Sequence, residues 1–227
     1  MIVISHRGNL VGPRPSEENK KGSLEYCLAR GWAVETDVRC GEDGRFYVSH
    51  DPTSVTEENE ARGIFRSWKR YPDATIALNV KECGQEAELI HFLSQEGVIK
   101  QIFLFDMELV EDVPGRMAKI FRRASPSVRL AARVSDRNEP LDRALAIREA
   151  EVIWLDEFDH PWTRPEDVRR LKEAGKRVCA VSPDLHGFSL DVSRRRWEDF
   201  FLWGVDGICT DYPVLLDKSL QGKGRGL

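Results

Sequence analysis

The chain has 227 residues, of which 41% are hydrophobic, and a formal charge of −4 at pH 7. That length supports one sizeable core, and the negative balance excludes any general attraction to nucleic acid or anionic membranes. The five cysteines, at 27, 40, 83, 179 and 209, are odd in number and form no CxxC pair, so zinc and redox motifs are not indicated and a reducing cytoplasm is expected.

The apolar opening run ends at His6, too short for a signal peptide, and no later stretch has the length of a membrane span. The reading is therefore a soluble, unexported, cytoplasmic protein with no membrane span. The sequence does not set its oligomeric state.

Runs rich in β-branched and aromatic residues recur along the chain. The first covers residues 2–5 and is followed by Leu24, Cys27 and Leu28 at helical spacing before Gly31. The second covers 33–38; a short extended piece at 45–49 then leads to His50, and the polar stretch 51–59 reads as loop. Further strands are predicted at 75–80, 102–105, 128–134, 152–155, 177–181 and 207–210. Between them lie helical patterns, among them Leu89, Ile90 and Leu93, and Met117, Ile120 and Phe121. Thr163 and Glu166 make a capping-box pattern ahead of Val168 and Leu171, with Gly175 as a stop. Eight strand–helix units in succession predict an α/β protein, a single (β/α)8 barrel with a short β-extension after the second strand. An open doubly wound sheet is the alternative. No linker divides the chain, so one domain over 1–220 and a frayed tail over 221–227 are expected.

Nearly every strand run ends in a polar or ionisable residue: His6, Asp37, Lys81, Asp106, Ser135, Asp156, Asp184 and Asp211. In a (β/α)8 barrel those carboxyl ends form the open rim where active sites assemble. Any one of them alone is only a strand end meeting water; the set is a candidate site. Glu35 and Asp37, two apart on a strand, share one face. Two carboxylates side by side call for a cation, and hard oxygen donors suit Mg2+ or Ca2+. An isolated pair of this kind is also what a solvated edge strand carries. His6 and His50, beside that pair, have the makings of an acid–base couple. Arg7 and Lys81 would supply fixed positive charge for a phosphate oxygen, or else partner nearby acids.

His6-Arg7-Gly8, Glu18-Asn19, Glu35-Thr36-Asp37, Asp43-Gly44 and His50-Asp51-Pro52 occur in that order, and together they resemble the glycerophosphodiester phosphodiesterases. Leu78-Asn79-Val80-Lys81 resembles that family's third strand, and residues 204–208 with Thr210, Asp211 and Pro213 resemble its last strand and turn. Between about residues 82 and 201 only the strand rhythm is shared. The resemblance implies His6 and His50 as acid and base, Arg7 and Lys81 on the phosphate, and a divalent ion (Mg2+ or Ca2+, with Mn2+ as another candidate) on Glu35 and Asp37. Where the family presents a third acidic ligand this chain has Asn79, whose amide oxygen brings no charge; Asp106 is the nearest acid that would replace it. The short segment 51–73 leaves no room for a bulky substrate lid.

Asp156, Asp184 and His186 sit where substrate-recognition residues are expected, as do Arg133, Ser135, Trp154 and Glu157. The expected activity is metal-dependent hydrolysis of a small phosphodiester. Two other readings are a barrel that binds phosphoesters without turnover, because one acidic ligand is missing, and a Schiff-base aldolase using Lys81. The aldolase reading leaves the carboxylate pair and both histidines idle.

Overall fold

A computed structural model describes residues 1–106, 111 and 113–223. In chain order the elements are β1 (Ile2–His6), α1 (Lys21–Ala29), β2 (Ala33–Cys40), β3 (Phe46–Val48), α2 (Ala61–Trp68), β4 (Ile76–Val80) and α3 (Glu86–Gln95). They continue as β5 (Ile102–Phe105), α4 (Arg116–Ala124), β6 (Arg129–Val134), α5 (Leu141–Ala146), β7 (Val152–Leu155) and α6 (Pro165–Glu173). The last are β8 (Arg177–Val181), α7 (Leu190–Leu202), β9 (Gly207–Thr210) and α8 (Pro213–Lys223).

Eight parallel strands form a closed ring in the order β1, β2, β4, β5, β6, β7, β8, β9, with β9 returning to β1. This is a (β/α)8 barrel, and its closure excludes the open sheet. At the seam Ile2 pairs with Gly207, and a Cβ on Gly207 would stand 2.8 Å from the Ile2 side chain; glycine lets the last strand approach the first. The short β3 runs antiparallel to β2, with Val38 opposite Val48, and stays outside the ring.

Strand alternation sorts the core into two layers. Ile4, Ala33, Ala77, Phe103, Phe105, Ala131, Val152, Trp154, Cys179, Val181 and Cys209 fill the barrel. Residues of the opposite parity, such as Val3, Val34, Leu78, Leu104, Leu130, Ile153, Val178 and Ile208, pack under the helices. A packed lower interior forces the next inward-facing layer, at the carboxyl end, to be the floor of any site.

The polar stretch 51–59 holds no helix or strand, as expected, and α2 follows it with Ile64, Phe65 and Trp68 buried. Two local expectations are corrected. The cap of α6 lies one residue later than Thr163 and Glu166 suggest. Pro165 takes the first helical position, and Asp167 accepts from the Arg164 backbone N–H at 3.0 Å. Helix α8 runs through Lys223, so the first three residues of the expected tail are helical, and 224–227 lie outside the described residues. All five cysteines are unpaired. Among the described residues, no helix is long and apolar enough to cross a membrane.

Candidate active site at the carboxyl rim

A pocket of about 320 Å³ opens at the carboxyl end of the barrel. It is lined on one side by His6, Arg7, Glu35, His50, Asn79 and Lys81, and on the other by Asp106, Arg133, Asp156 and His186 over an apolar floor of Phe105, Trp154 and Val181.

Strand β1 delivers His6 inward, and the chain then turns sharply: Arg7 has φ +50° and Gly8 φ +83°. A Cβ on Gly8 would lie 2.9 Å from the Ser23 side chain, so glycine lets this turn rest against α1. The strained backbone at Arg7 aims its guanidinium back at the barrel, where Nε lies 3.2 Å from Asp37 Oδ2 and Nη1 donates to Glu18 at 3.1 Å. The imidazole of His6 is held by Asp211 Oδ1, 2.7 Å from Nδ1, and its Nε2 stands 3.8 Å from Glu35 Oε2. Burial alone would lower the proton affinity of His6; the hydrogen bond to Asp211 and the charges of Glu35 and Asp211 outweigh it and raise its pKa above 6.5.

Glu35 and Asp37 both point into the barrel and are buried, yet their states differ. Burial, then the neighbouring Asp37, pushes Glu35 up to about 7. Burial also opposes ionisation of Asp37, but Lys81 at 3.0 Å, Arg7, and the Asn19 amide donating at 2.8 Å bring its pKa below 3.8. Asn79 lies opposite Asp37 across the β2–β4 pairing. Its Nδ2 donates to Asp106 Oδ2 at 2.7 Å, which turns its Oδ1 the other way. Glu35 Oε2 and Asn79 Oδ1 are buried without a hydrogen-bond partner, while Asp37 Oδ1 faces Lys81 Nζ at 3.0 Å.

That trio tests the divalent ion. Among the described residues, no group of three His, Cys, Asp or Glu side chains has metal-binding geometry. Two unpartnered oxygens, Glu35 Oε2 and Asn79 Oδ1, share one face of adjacent strands with the Asp37 carboxylate that Lys81 and Arg7 hold ionised, and this oxygen set nevertheless fits a hard cation. Asp106 does not join them: Arg133 Nη1 lies 2.7 Å from its Oδ1 and Asn79 occupies Oδ2. Burial raises the Asp106 pKa despite Arg133 and Lys81 nearby.

His50 reaches the pocket from the loop after β3, with its side chain 45% exposed and Nδ1 2.9 Å from Asp51. Arg39 ties that loop to β2, donating to the His50 carbonyl at 3.0 and 2.7 Å and to Glu82 at 2.6 Å. Asp156 ends β7 and pairs with His186 Nε2 at 2.6 Å. Asp184 does not line the pocket. Its carboxylate accepts from Ser182, from Thr210 Oγ1 at 3.0 Å and from the Asp211 N–H at 2.9 Å, so it fastens the turn after β8 to the end of β9. Six positions taken from the motifs, His6, Arg7, Glu35, His50, Asn79 and Lys81, are thus brought together, with Asp37 directly beneath.

The sequence reading did not give site roles to Asp211 and Asn19, although both stood in the motif pattern. Asp211 orients His6, and Asn19, at φ +59°, bridges Thr36 and Asp37. Phe158, which also lines the pocket, left no periodic signal because it lies in the loop after β7, and Leu185 joins it from the 3-10 turn Pro183–His186.

No protein-family model matches the chain, and no curated protein matches it in sequence. Solved structures match its fold over nearly the whole length. A Galdieria sulphuraria protein described provisionally as a glycerophosphodiester phosphodiesterase superposes with a TM-score of 0.74 at 18% identity, covering 97% of each chain. An Oleispira antarctica phosphodiesterase, solved with its product sn-glycerol-3-phosphate, gives 0.65 at 18% identity and 97% of each chain. A mutant tryptophan synthase α-subunit from Pyrococcus furiosus gives 0.59 at 17% identity, over 100% of this chain and 91% of that one. Such identities establish a shared barrel; function has to be argued from the site.

Proposed function

We propose that the chain is a phosphoric diester hydrolase acting on small, glycerophosphodiester-like substrates with the help of a divalent ion. The observation that carries this reading is the meeting in one rim pocket of two histidines, two basic side chains and the buried, unpartnered oxygens of Glu35 and Asn79, with the Asp37 carboxylate against Arg7 and Lys81. A binding protein has no need of paired histidines, and an aldolase would need Lys81 free, whereas Lys81 is ion-paired with Asp37.

In this reading Glu35, Asp37 and Asn79 hold Mg2+ or Ca2+, which when bound offsets charge on a nonbridging phosphate oxygen. Arg7 and Lys81 flank the same oxygen and lend it fixed positive charge. His6, whose proton affinity is raised, donates from Nε2 to the departing alkoxide, while Asp211 on Nδ1 keeps the ring oriented and favours its protonated form. His50, reachable from solvent, takes the proton of the attacking hydroxyl. That hydroxyl is water or a group vicinal to the ester.

The test is hydrolysis of a diester panel, bis(p-nitrophenyl) phosphate and glycerophosphodiesters, before and after exhaustive chelation. Chelation should abolish turnover, with Mg2+, Ca2+ or Mn2+ restoring it. Calorimetric titration of Mg2+ into the chelated protein should show one site that tightens in Asn79→Glu. Activity indifferent to EDTA sinks the metal role, and no turnover on any diester at millimolar metal leaves a binding barrel.

A further inference from the structure

In an eight-membered ring, β7 lies diametrically opposite β2 and β8 opposite β4. Asp156 at the end of β7 and His186 in the turn after β8 therefore face the carboxylate–lysine wall from across the pocket, and both line it. Neither has a part in the phosphate chemistry above.

The pair is built rather than incidental. Asp156 is 4% exposed, its backbone N–H is fixed to the Val134 carbonyl at 2.8 Å, and its carboxylate holds His186 Nε2 at 2.6 Å. That bond makes Nε2 the donor, leaving Nδ1 with a lone pair, and among the described residues no hydrogen bond reaches Nδ1. Asp156 Oδ2 likewise accepts from no described protein donor. The imidazole is braced by Phe158, ring centroids 4.5 Å apart, and Phe105 and Trp154 make an aromatic floor with centroids 4.4 Å apart.

Two acceptors over aromatic faces match hydroxyl donors on a carbon skeleton. The same wall does not suit a quaternary ammonium group. Guanidinium groups already lie over the Phe158 ring, Arg137 at 4.4 Å and Arg133 at 5.4 Å, and their positive charge repels such a group. We infer that Asp156 and His186 form a specificity-determining subsite for the hydroxyl groups of the substrate's alcohol moiety, selecting polyol or cyclitol diesters over choline diesters. This rests on the phosphodiester reading for its reaction but not for its binding preference.

The measurement is kcat/KM for glycerophosphoinositol and glycerophosphocholine with the wild type, His186→Ala, His186→Gln and Asp156→Asn. The wild type should favour the inositol diester by tenfold or more. His186→Ala and Asp156→Asn should each shrink that ratio by about tenfold, the scale of one hydrogen bond to a buried partner. His186→Gln, which keeps an acceptor, should restore part of it. Equal losses on both substrates, with the ratio unchanged, would mark the pair as merely structural and overturn the inference, as would a wild-type preference for the choline diester. If no diester is hydrolysed at all, the reaction assignment fails, and calorimetry with inositol phosphate against phosphocholine decides the subsite by itself: equal affinity overturns it.

Discussion

The two walls of the rim pocket are made of the same residue types and are finished differently. On the β1, β2 and β4 side, Glu35 Oε2 and Asn79 Oδ1 are buried without a hydrogen-bond partner, while positive φ occurs on both sides, at Arg7 and Asn19 here and at Asp106 and Asn138 opposite. On the β6, β7 and β8 side the polar groups are paired: Arg133 with Asp106 and Glu139, the Asp156 carboxylate with the Nε2–H of His186, and Arg196 with Glu157 behind them. Unsatisfied polar groups are costly to keep and mark where a ligand is meant to complete the structure. Satisfied networks rigidify a surface and give it one shape. In the proposed reaction the first wall does the chemistry and the second gives the pocket its shape.

The contrast breaks most directly through His6. His6→Ala should lower kcat by about 100- to 10,000-fold, the range of general acid–base catalysis, while the urea midpoint moves little. Near-normal turnover with a large loss of stability would make the first wall structural as well.

On the opposite wall the balance should reverse. Arg133 is 8% exposed between Asp106 and Glu139. Arg133→Ala leaves both acids without their cation and should cost about 3–5 kcal/mol of unfolding free energy, read from urea denaturation. Arg133→Ala with unchanged stability but abolished turnover would erase the distinction between the walls.

A smaller effect sharpens the account of the first wall. Glu35 rises from 4.5 to about 7 in the folded, metal-free chain, so between those values the native state carries a proton that the unfolded state has lost. Its contribution therefore falls as pH rises from about 4.5 to about 7, by up to about 3 kcal/mol. Glu35→Gln should flatten the stability profile of the chelated protein in that window. His6, also raised, acts the same way but only above about 6.5, and Asp106 and Asp184, raised from 3.8, add to the slope below it, so the difference between wild type and Glu35→Gln is what reports Glu35. A profile unchanged by Glu35→Gln would show that the carboxyl pair is already relieved within the protein.

The first wall was far more legible in the sequence than the second. His6-Arg7-Gly8, Glu35-x-Asp37 and His50-Asp51 are local patterns, and each sits at a strand end or in the turn after it. The partners on the second wall lie far apart in sequence. Asp156 and His186 are thirty residues apart, and Asp106 meets Arg133 across two different strand ends, so only strand neighbourhood brings them together. Asp184 shows the limit most clearly. It occupies a strand-end position like its neighbours, yet a turn after β8 directs its carboxylate to Thr210 and the Asp211 N–H, and no periodicity records that direction.

By itself the sequence determined the eight strands, the parity that sends Ile4 and His6, Ala33 and Glu35, Ala77 and Asn79 to one face, and hence which polar side chains could reach the rim. Those are local consequences of a two-residue repeat and of β-branched and aromatic runs. Only the tertiary structure decided between the closed and the open sheet, set β7 opposite β2, and turned the Asn79 oxygen away from Asp106, which takes its amide hydrogen. Those outcomes depend on which distant strands become neighbours and on which donor reaches which acceptor, and the pairing exists only once the ring has formed.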